Sequence, residues 1–241
     1  MGVELLYLTI IILILFFGML LSAIVISAIQ TKKRIKKSIF ILKEYSSTIR
    51  QILMLVGRLN TESSFEKVQE ISNRIKQIEK EGDEMEKTLK KIIFSTRNFH
   101  IFSKNDFEQI NQILILSNNL ERLADLALKM AYIHLDRREA HAYITPKLRN
   151  FLFEFQEVIH KSSIEFIQNL NLASEYNSKK FIKLENKTNE IYSDAIKYLL
   201  KSLEKNEIKP LSAIYCKDLM INYESIGDLL YKSNKIICKW D

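Results

Sequence analysis

The residues equipped for chemistry are acidic, and they come in pairs. Glu79 and Asp83, Glu121 and Asp125, and Glu224 and Asp228 each stand four positions apart. In an α-helix that spacing puts both side chains on one face. Two carboxylates held together beside apolar neighbours repel each other and resist desolvation. A hard or borderline cation such as Mg, Mn, Fe or Zn, shared between facing helices, relieves both costs. Glu-x-x-x-Asp is also common on solvated helices, so salt bridges to Lys80, Arg122 or neighbouring basic residues are the competing account.

The surroundings of the pairs are not those of an ordinary solvated face. Glu121 interrupts the series Phe107, Ile110, Leu114, Ser117, Ala124, Leu128, Ala131, spaced three and four. Beside it runs a second stripe, Ile113, Leu116, Leu120, Leu123, Ala127, Met130. Glu224 and Asp228 lie among Met220, Tyr223, Ile226 and Gly227. Small Gly82, Ala124 and Gly227 would let helices approach closely at these places.

Other chemistry is poorly represented. His100, His134, His141 and His160 are scattered, and Glu157-Val-Ile-His160 is a single Glu-x-x-His. A di-iron bundle needs that motif on two helices with two further glutamates, so a packing or surface histidine is the expectation. Cys216 and Cys238 form no CxxC and read as reduced thiols. There is no Ser–His–Asp arrangement, P-loop or GxSxG motif, and the expectation is a protein that is not an enzyme.

The elements that must position the acids are long helices. Only 5 glycines and 2 prolines occur in 241 residues, 47% of them hydrophobic and 27% charged. That composition excludes collagen-like, turn-rich all-β and general disordered classes. Helices are predicted over 33–59, 64–97, 106–138, 146–172, 177–206 and 210–238, the first continuing an apolar helix before it. Their start signals are Ser63 to Glu66 as a capping box, Asn105 to Glu108 as a similar cap, Thr145 before Pro146, and Pro210.

The helices repeat. Phe181, Leu184, Thr188, Ile191, Ala195 and Tyr198 fall, 106 positions earlier, on Ile75, Ile78, Gly82, Met85, Leu89 and Ile92. Val68 and Ile71 extend the earlier seam. The same offset pairs Glu79 with Glu185 and Asp83 with Asn189. Asn119 to Asp125 (Asn-Leu-Glu-Arg-Leu-Ala-Asp) repeats as Asn222 to Asp228 (Asn-Tyr-Glu-Ser-Ile-Gly-Asp) at an offset of 103. Two segments repeating at nearly one offset imply two similar three-helix units in tandem. The expected fold class is all-α, divided as a lead-in and transmembrane helix over 1–31, a first bundle over 32–145 and a second over 146–241.

Leu5 to Ile29 contains no charged residue, His, Asn or Gln. As a helix it is about 37 Å long, enough to cross a hydrocarbon core of about 30 Å with tilt. No basic residue precedes it, and the apolar run is too long for a secretory signal peptide. Lys32, Lys33, Arg34, Lys36 and Lys37 follow at once, so the positive-inside bias sets the N-terminus outside and the remainder in the cytoplasm. The formal net charge of +7 is concentrated in this cluster and not on a basic face of the body, which argues against a nucleic-acid partner.

At its acidic motifs the sequence resembles the PhoU family, over about residues 38–240. The matching segments are Glu79-Lys-Glu-Gly-Asp83, Glu121-Arg-Leu-Ala-Asp125, Glu185-Asn-Lys-Thr-Asn189 and Glu224-Ser-Ile-Gly-Asp228. The resemblance implies a tandem pair of three-helix bundles, with a multinuclear metal cluster, divalent or trivalent, on Glu79, Asp83, Glu121, Asp125, Glu185, Glu224 and Asp228. Asn189 replaces a motif acid and weakens the second site. The resemblance also implies a role in control of phosphate uptake, with a polytopic phosphate transporter or sensor kinase, the membrane and a second copy of the chain as partners. PhoU-like bundles form the cytoplasmic C-terminal domain of sodium–phosphate cotransporter relatives, and a membrane helix running into such a bundle looks like the end of that architecture. The alternative is a helical membrane scaffold with salt-bridged acids and no phosphate role.

Overall fold

The computed structural model describes residues 2–96, 103–171 and 178–237. Among them are six helices and no strand: α1 (Gly2–Thr61), α2 (Phe65–Thr96), α3 (Lys104–Glu139), α4 (Pro146–Asn171), α5 (Ser178–Glu204) and α6 (Pro210–Ile237). The all-α expectation holds. The apolar run and the helix expected over 33–59 are one continuous α1. The expected helix ends at Arg97, Leu172, Asn177 and Cys238 lie outside the described residues, as does His100.

Local hydrogen bonding sets where the helices begin. After α1, the Glu62 carboxylate accepts the Ser63 and Ser64 amides at 2.9 and 3.2 Å. That moves the cap of α2 one residue beyond the expected Ser63: Ser64 Oγ accepts the Lys67 amide at 3.4 Å and donates to Glu66 at 2.5 Å. For α3 the expected cap at Asn105 is corrected to Ser103. Ser103 Oγ accepts the Asp106 amide at 3.0 Å, and Asp106 Oδ2 accepts the Ser103 amide at 3.3 Å. The reciprocal pair satisfies two amides where Asn105 would satisfy one. Thr145 caps α4 as expected, its Oγ1 accepting the Leu148 amide at 3.4 Å, with Pro146 at the first helical position.

Helices α1, α2 and α3 all pack against one another, and so do α4, α5 and α6. The two triplets are joined by α1 on α4 and by α3 on α6. The seam of α2 is buried at Val68, Ile71, Ile75, Ile78, Gly82 and Leu89, with Met85 and Ile92 half-buried. Its counterpart on α5 buries Phe181, Thr188, Ile191 and Ala195. On α3 the core stripe is Ile113, Leu116, Leu120, Leu123, Ala127 and Met130. In the series through Glu121, Ile110, Ser117, Ala124 and Ala131 are buried, Leu114 and Leu128 are half-buried, and Phe107 is exposed. A stripe of period 3.6 drifts across the contact, so only one of two adjacent rows can lie at its centre.

The triplets meet through a polar and aromatic seam. Asn60 Nδ2 on α1 donates to Tyr223 Oη on α6 at 2.6 Å, and Tyr223 stacks on Phe155 of α4 with ring centroids 5.4 Å apart. Asn119 Nδ2 donates to Ser233 Oγ at 3.0 Å. Gly57 lets α1 and α4 approach, since a Cβ there would meet Gln156 at 2.4 Å.

Gly82 serves the contact inside the first triplet. A Cβ at this position would lie 2.8 Å from the ring of Tyr45, which is wholly buried. Gly82→Ala is expected to cost about 1–3 kcal/mol of overpacking against about 1 kcal/mol gained in helix propensity, a net loss. Gly57→Ala meets the half-buried, flexible Gln156 and should cost less. Denaturant unfolding of the two variants of the full chain checks the order.

Candidate functional site

The repeat carries its acids onto the rim of the first core. On α2 the i, i+4 spacing extends to i+7, so Glu79, Asp83 and Glu86 share one side of the helix. Glu121 and Asp125 come from α3, which packs on α2. Tyr45 of α1 reaches the same place because Gly82 leaves room for its ring. Its buried hydroxyl has no hydrogen-bond partner. Burial, then Glu86, Asp83, Glu121 and Asp125, hold that phenol far above its ordinary range. Four carboxylates from two helices therefore act on one buried oxygen of a third.

The acids also act on one another. The Glu79 carboxyl is raised by burial, then by Asp83 and Asp125, with Lys80 and Lys76 opposing. Glu121 is raised by burial, then by Glu86 and Asp125, with Lys90 opposing. Asp125 is raised by burial, then by Asp83 and Glu86. The structure thus sets Glu79, Asp83, Glu121 and Asp125 within electrostatic reach of one another. It adds Glu86, which the sequence reading missed. Glu86 is 8% exposed and pairs with Lys90 at 2.5 Å. Its signal lies one helical step beyond the Glu-x-x-x-Asp motif and was legible as the continuation of the same face.

The second repeat is built differently. Glu224 is raised by burial and by Asp228, with Lys232 and Ser225 opposing, all of them on α6. Asp228 is paired with Lys232 at 2.7 Å. Glu185 of α5 is not among the groups that shift Glu224. Thr188, the counterpart of Gly82, fills the contact: a Cβ on Gly227 would meet its methyl at 2.9 Å. With Asn189 on the same helix, α5 brings less charge to this rim than α2 does.

Tertiary packing adds a juxtaposition across the repeats. Asp125 and Asp228 line one groove between α3 and α6, of about 280 Å³, together with Arg122, Ser225 and Lys232. The remaining candidates lie elsewhere. Glu157 pairs with Lys161 at 2.5 Å rather than with His160, which borders a cavity between α1 and α4. Cys216 is a free, buried thiol whose pKa burial pushes up to about 12. Cys238 lies outside the described residues.

The arrangement was tested against a metal. Uncompensated like charge on facing helices suits a cation. As the side chains stand, no three His, Cys, Asp or Glu among the described residues are gathered tightly enough to ligate one ion. The first rim therefore has the charge for a cation, and its side chains would have to close in to bind one.

The family model of the PhoU domain matches residues 37–133, a span that holds both acidic pairs of the first repeat. That stretch of the chain is similar to a PhoU domain. PhoU from Pseudomonas aeruginosa superposes with a TM-score of 0.68 at 12% identity, over 89% of this chain and 96% of that one. A PhoU-like protein from Shewanella oneidensis MR-1 gives 0.66 at 12% identity, over 83% and 97%. The phosphate transport system regulatory protein PhoU from Streptococcus pneumoniae gives 0.62 at 12% identity, over 83% and 94%. These likenesses establish that the PhoU fold extends through both triplets. A search of curated protein sequences finds no match.

Within residues 37–133, the acid pKa shifts have a sign. The folded carboxyls of Glu79, Glu121 and Asp125 keep their protons to higher pH than in the unfolded chain. The folded state therefore binds more protons between the two pKa values, and stability falls as pH rises through that window. With chelator present, Glu121→Gln is expected to raise Tm at neutral pH. The advantage should vanish below about pH 4, where the unfolded carboxyls are protonated too. Thermal unfolding of the full chain across pH measures it.

Proposed function

We propose that the protein is a membrane-anchored, non-catalytic PhoU-like regulator of phosphate transport or phosphate signalling. It acts by contact with a polytopic transporter or a sensor kinase, and a cation bound at its acidic rim adjusts that contact. The observation that carries the reading is the PhoU-domain match over the stretch where Glu79, Asp83, Glu86, Glu121 and Asp125 of α2 and α3 act on one another. The S. pneumoniae structure of the same fold is a phosphate transport system regulatory protein.

Anchoring is supported by the first half of α1. It is long and apolar enough to cross a membrane, with a mean hydropathy of 3.0, and its most apolar stretch is unburied. Tyr7, Ile14, Phe16, Phe17, Met19 and Leu21 are all 60% or more exposed. Such a surface is unfavourable in water and suits lipid. With Lys32 to Lys37 behind it, the bundles sit on the cytoplasmic side of the inner membrane and the N-terminus outside. The same arrangement fits a sodium–phosphate cotransporter tail separated from its transport domain.

Glu79, Asp83, Glu86, Glu121 and Asp125 would hold the first metal centre, with Mg, Mn, Fe or Zn as candidates. Glu224 and Asp228, joined by Glu185 after a rearrangement of α5, would hold a weaker second one. Bound metal supplies positive charge that neutralises the rim and ties α2 to α3. A scaffold with no metal is the second reading, favoured by the Lys90–Glu86 and Lys232–Asp228 pairs.

Two measurements test these parts. Metal content of the purified full chain should fall in Glu121→Ala with Asp125→Ala while helicity is kept, and unchanged content removes the metal centre. Gentle capture from native membranes should enrich a phosphate transporter or a phosphate-sensing kinase over an untagged control. Recovery of the protein alone would favour the scaffold.

A further inference from the structure

At the other end of the first bundle the charge is reversed. The α1–α2 turn and the C-terminus of α3 meet there, tied by Arg138 Nη2 donating to the Glu62 carbonyl. Beside them is a cavity of about 310 Å³ bordered by Ser63, Arg137, Arg138, His141, Tyr143 and Arg149. No carboxylate lines it. The volume is about ten times the share of one water in the liquid, ample for a tetrahedral oxyanion.

The arginines are held there by the fold. Arg137 is only 5% exposed. Its Nη1 donates to the Ala142 carbonyl at 3.3 Å, and its Nε, buried, has no partner. The Nε of Arg138 is likewise buried without a partner. His141, with φ of 50°, turns the chain back so that its own amide reaches the Arg138 carbonyl and the Ala142 amide reaches that of Arg137. Arg149 enters from the first turn of α4, whose N-terminus adds partial positive charge.

Three guanidiniums with little to neutralise them are costly. Burial, then Arg138, with Arg149 also contributing, lowers Arg137 to about 10 while Cys216 opposes. Burial and then Arg149 lower Arg138, with Glu62 opposing. The Glu62 carboxylate is itself engaged by the Ser63 and Ser64 amides. A buried guanidinium with no carboxylate beside it carries a desolvation cost that a bound anion would offset.

We propose that this cavity binds a soluble phosphate-class oxyanion, held by Arg137, Arg138 and Arg149 with the Ser63 hydroxyl. Guanidinium forks match tetrahedral oxyanions in geometry as well as charge. A lipid headgroup presents the same chemistry, but the place in the fold disfavours it. The turn after Thr61 lies about 45 Å along α1 from Thr31, beyond the reach of a bilayer that holds the apolar half of that helix. The ligand class comes from the arginines alone, whereas choosing phosphate as the probe rests on the regulatory reading.

The test is calorimetric titration of the full chain in phosphatidylcholine nanodiscs, with inorganic phosphate and, separately, with sulfate. Saturable phosphate binding at one site per chain is expected. Arg149→Gln, at an exposed position that can change without unfolding, should weaken it about tenfold to a hundredfold. Arg138→Gln should do the same, and Lys129→Gln, on α3 outside the cavity, should not. No saturable binding to the folded chain, or binding indifferent to Arg138 and Arg149, overturns the site. Sulfate bound as tightly as phosphate supports the oxyanion site and removes its tie to phosphate regulation. If added phosphatidylglycerol abolishes phosphate binding through Arg149, the ligand is a lipid headgroup and the soluble source is overturned.

Discussion

The contact of Tyr45 with Gly82 governs the first bundle. A wholly buried aromatic ring seated on a glycine draws α1 against α2. With α3 completing the triplet, the apolar stripes fill the space between the axes, and the residues next to those stripes are forced to the rim. Glu79, Asp83 and Glu86 are such residues on α2, and Glu121 and Asp125 on α3. They are too close to the core to be fully hydrated and too close to one another to be indifferent. The acidic rim is thus a consequence of helix periodicity plus one close approach.

The second bundle shows what changes when that approach is made by another pair. Thr188 stands where Gly82 does, and the glycine has moved to position 227 on the partner helix. The close contact is then between α5 and α6, and the tyrosine of the seam, Tyr223, faces α4 and α1 instead. Of the acids that remain, Asp228 pairs with Lys232 on its own helix, and Glu224 is raised by burial and then by Asp228. A repeat in sequence has become an asymmetric pair in space, one rim coupled across two helices, the other along α6 alone.

The molecule is also polarised along α1. An unburied apolar half gives way to the basic cluster, then to the acidic rim near mid-bundle, and last to the arginine-lined end. The PhoU fold supplies that geometry in this chain.

The amino-acid sequence determined the helices, their approximate ends, the two seams and four of the five acids of the first rim. These are local or periodic properties: spacing of three and four, a proline at a first turn, a glycine opposite bulk. Helix starts at Ser64 and Ser103 missed their expected positions by one and two residues, because a competing side chain, Glu62 or Asp106, captured the amides. Tertiary structure alone decided which acids meet. Asp125 and Asp228, far apart in the chain, share a groove. It alone gathered Arg137, Arg138 and Arg149 around one cavity, since they come from two helices joined by a turn. Periodicity says which side of a helix a residue occupies. Which neighbour stands opposite depends on the rotation and offset of packed helices, and those are set by the volumes that fill the core.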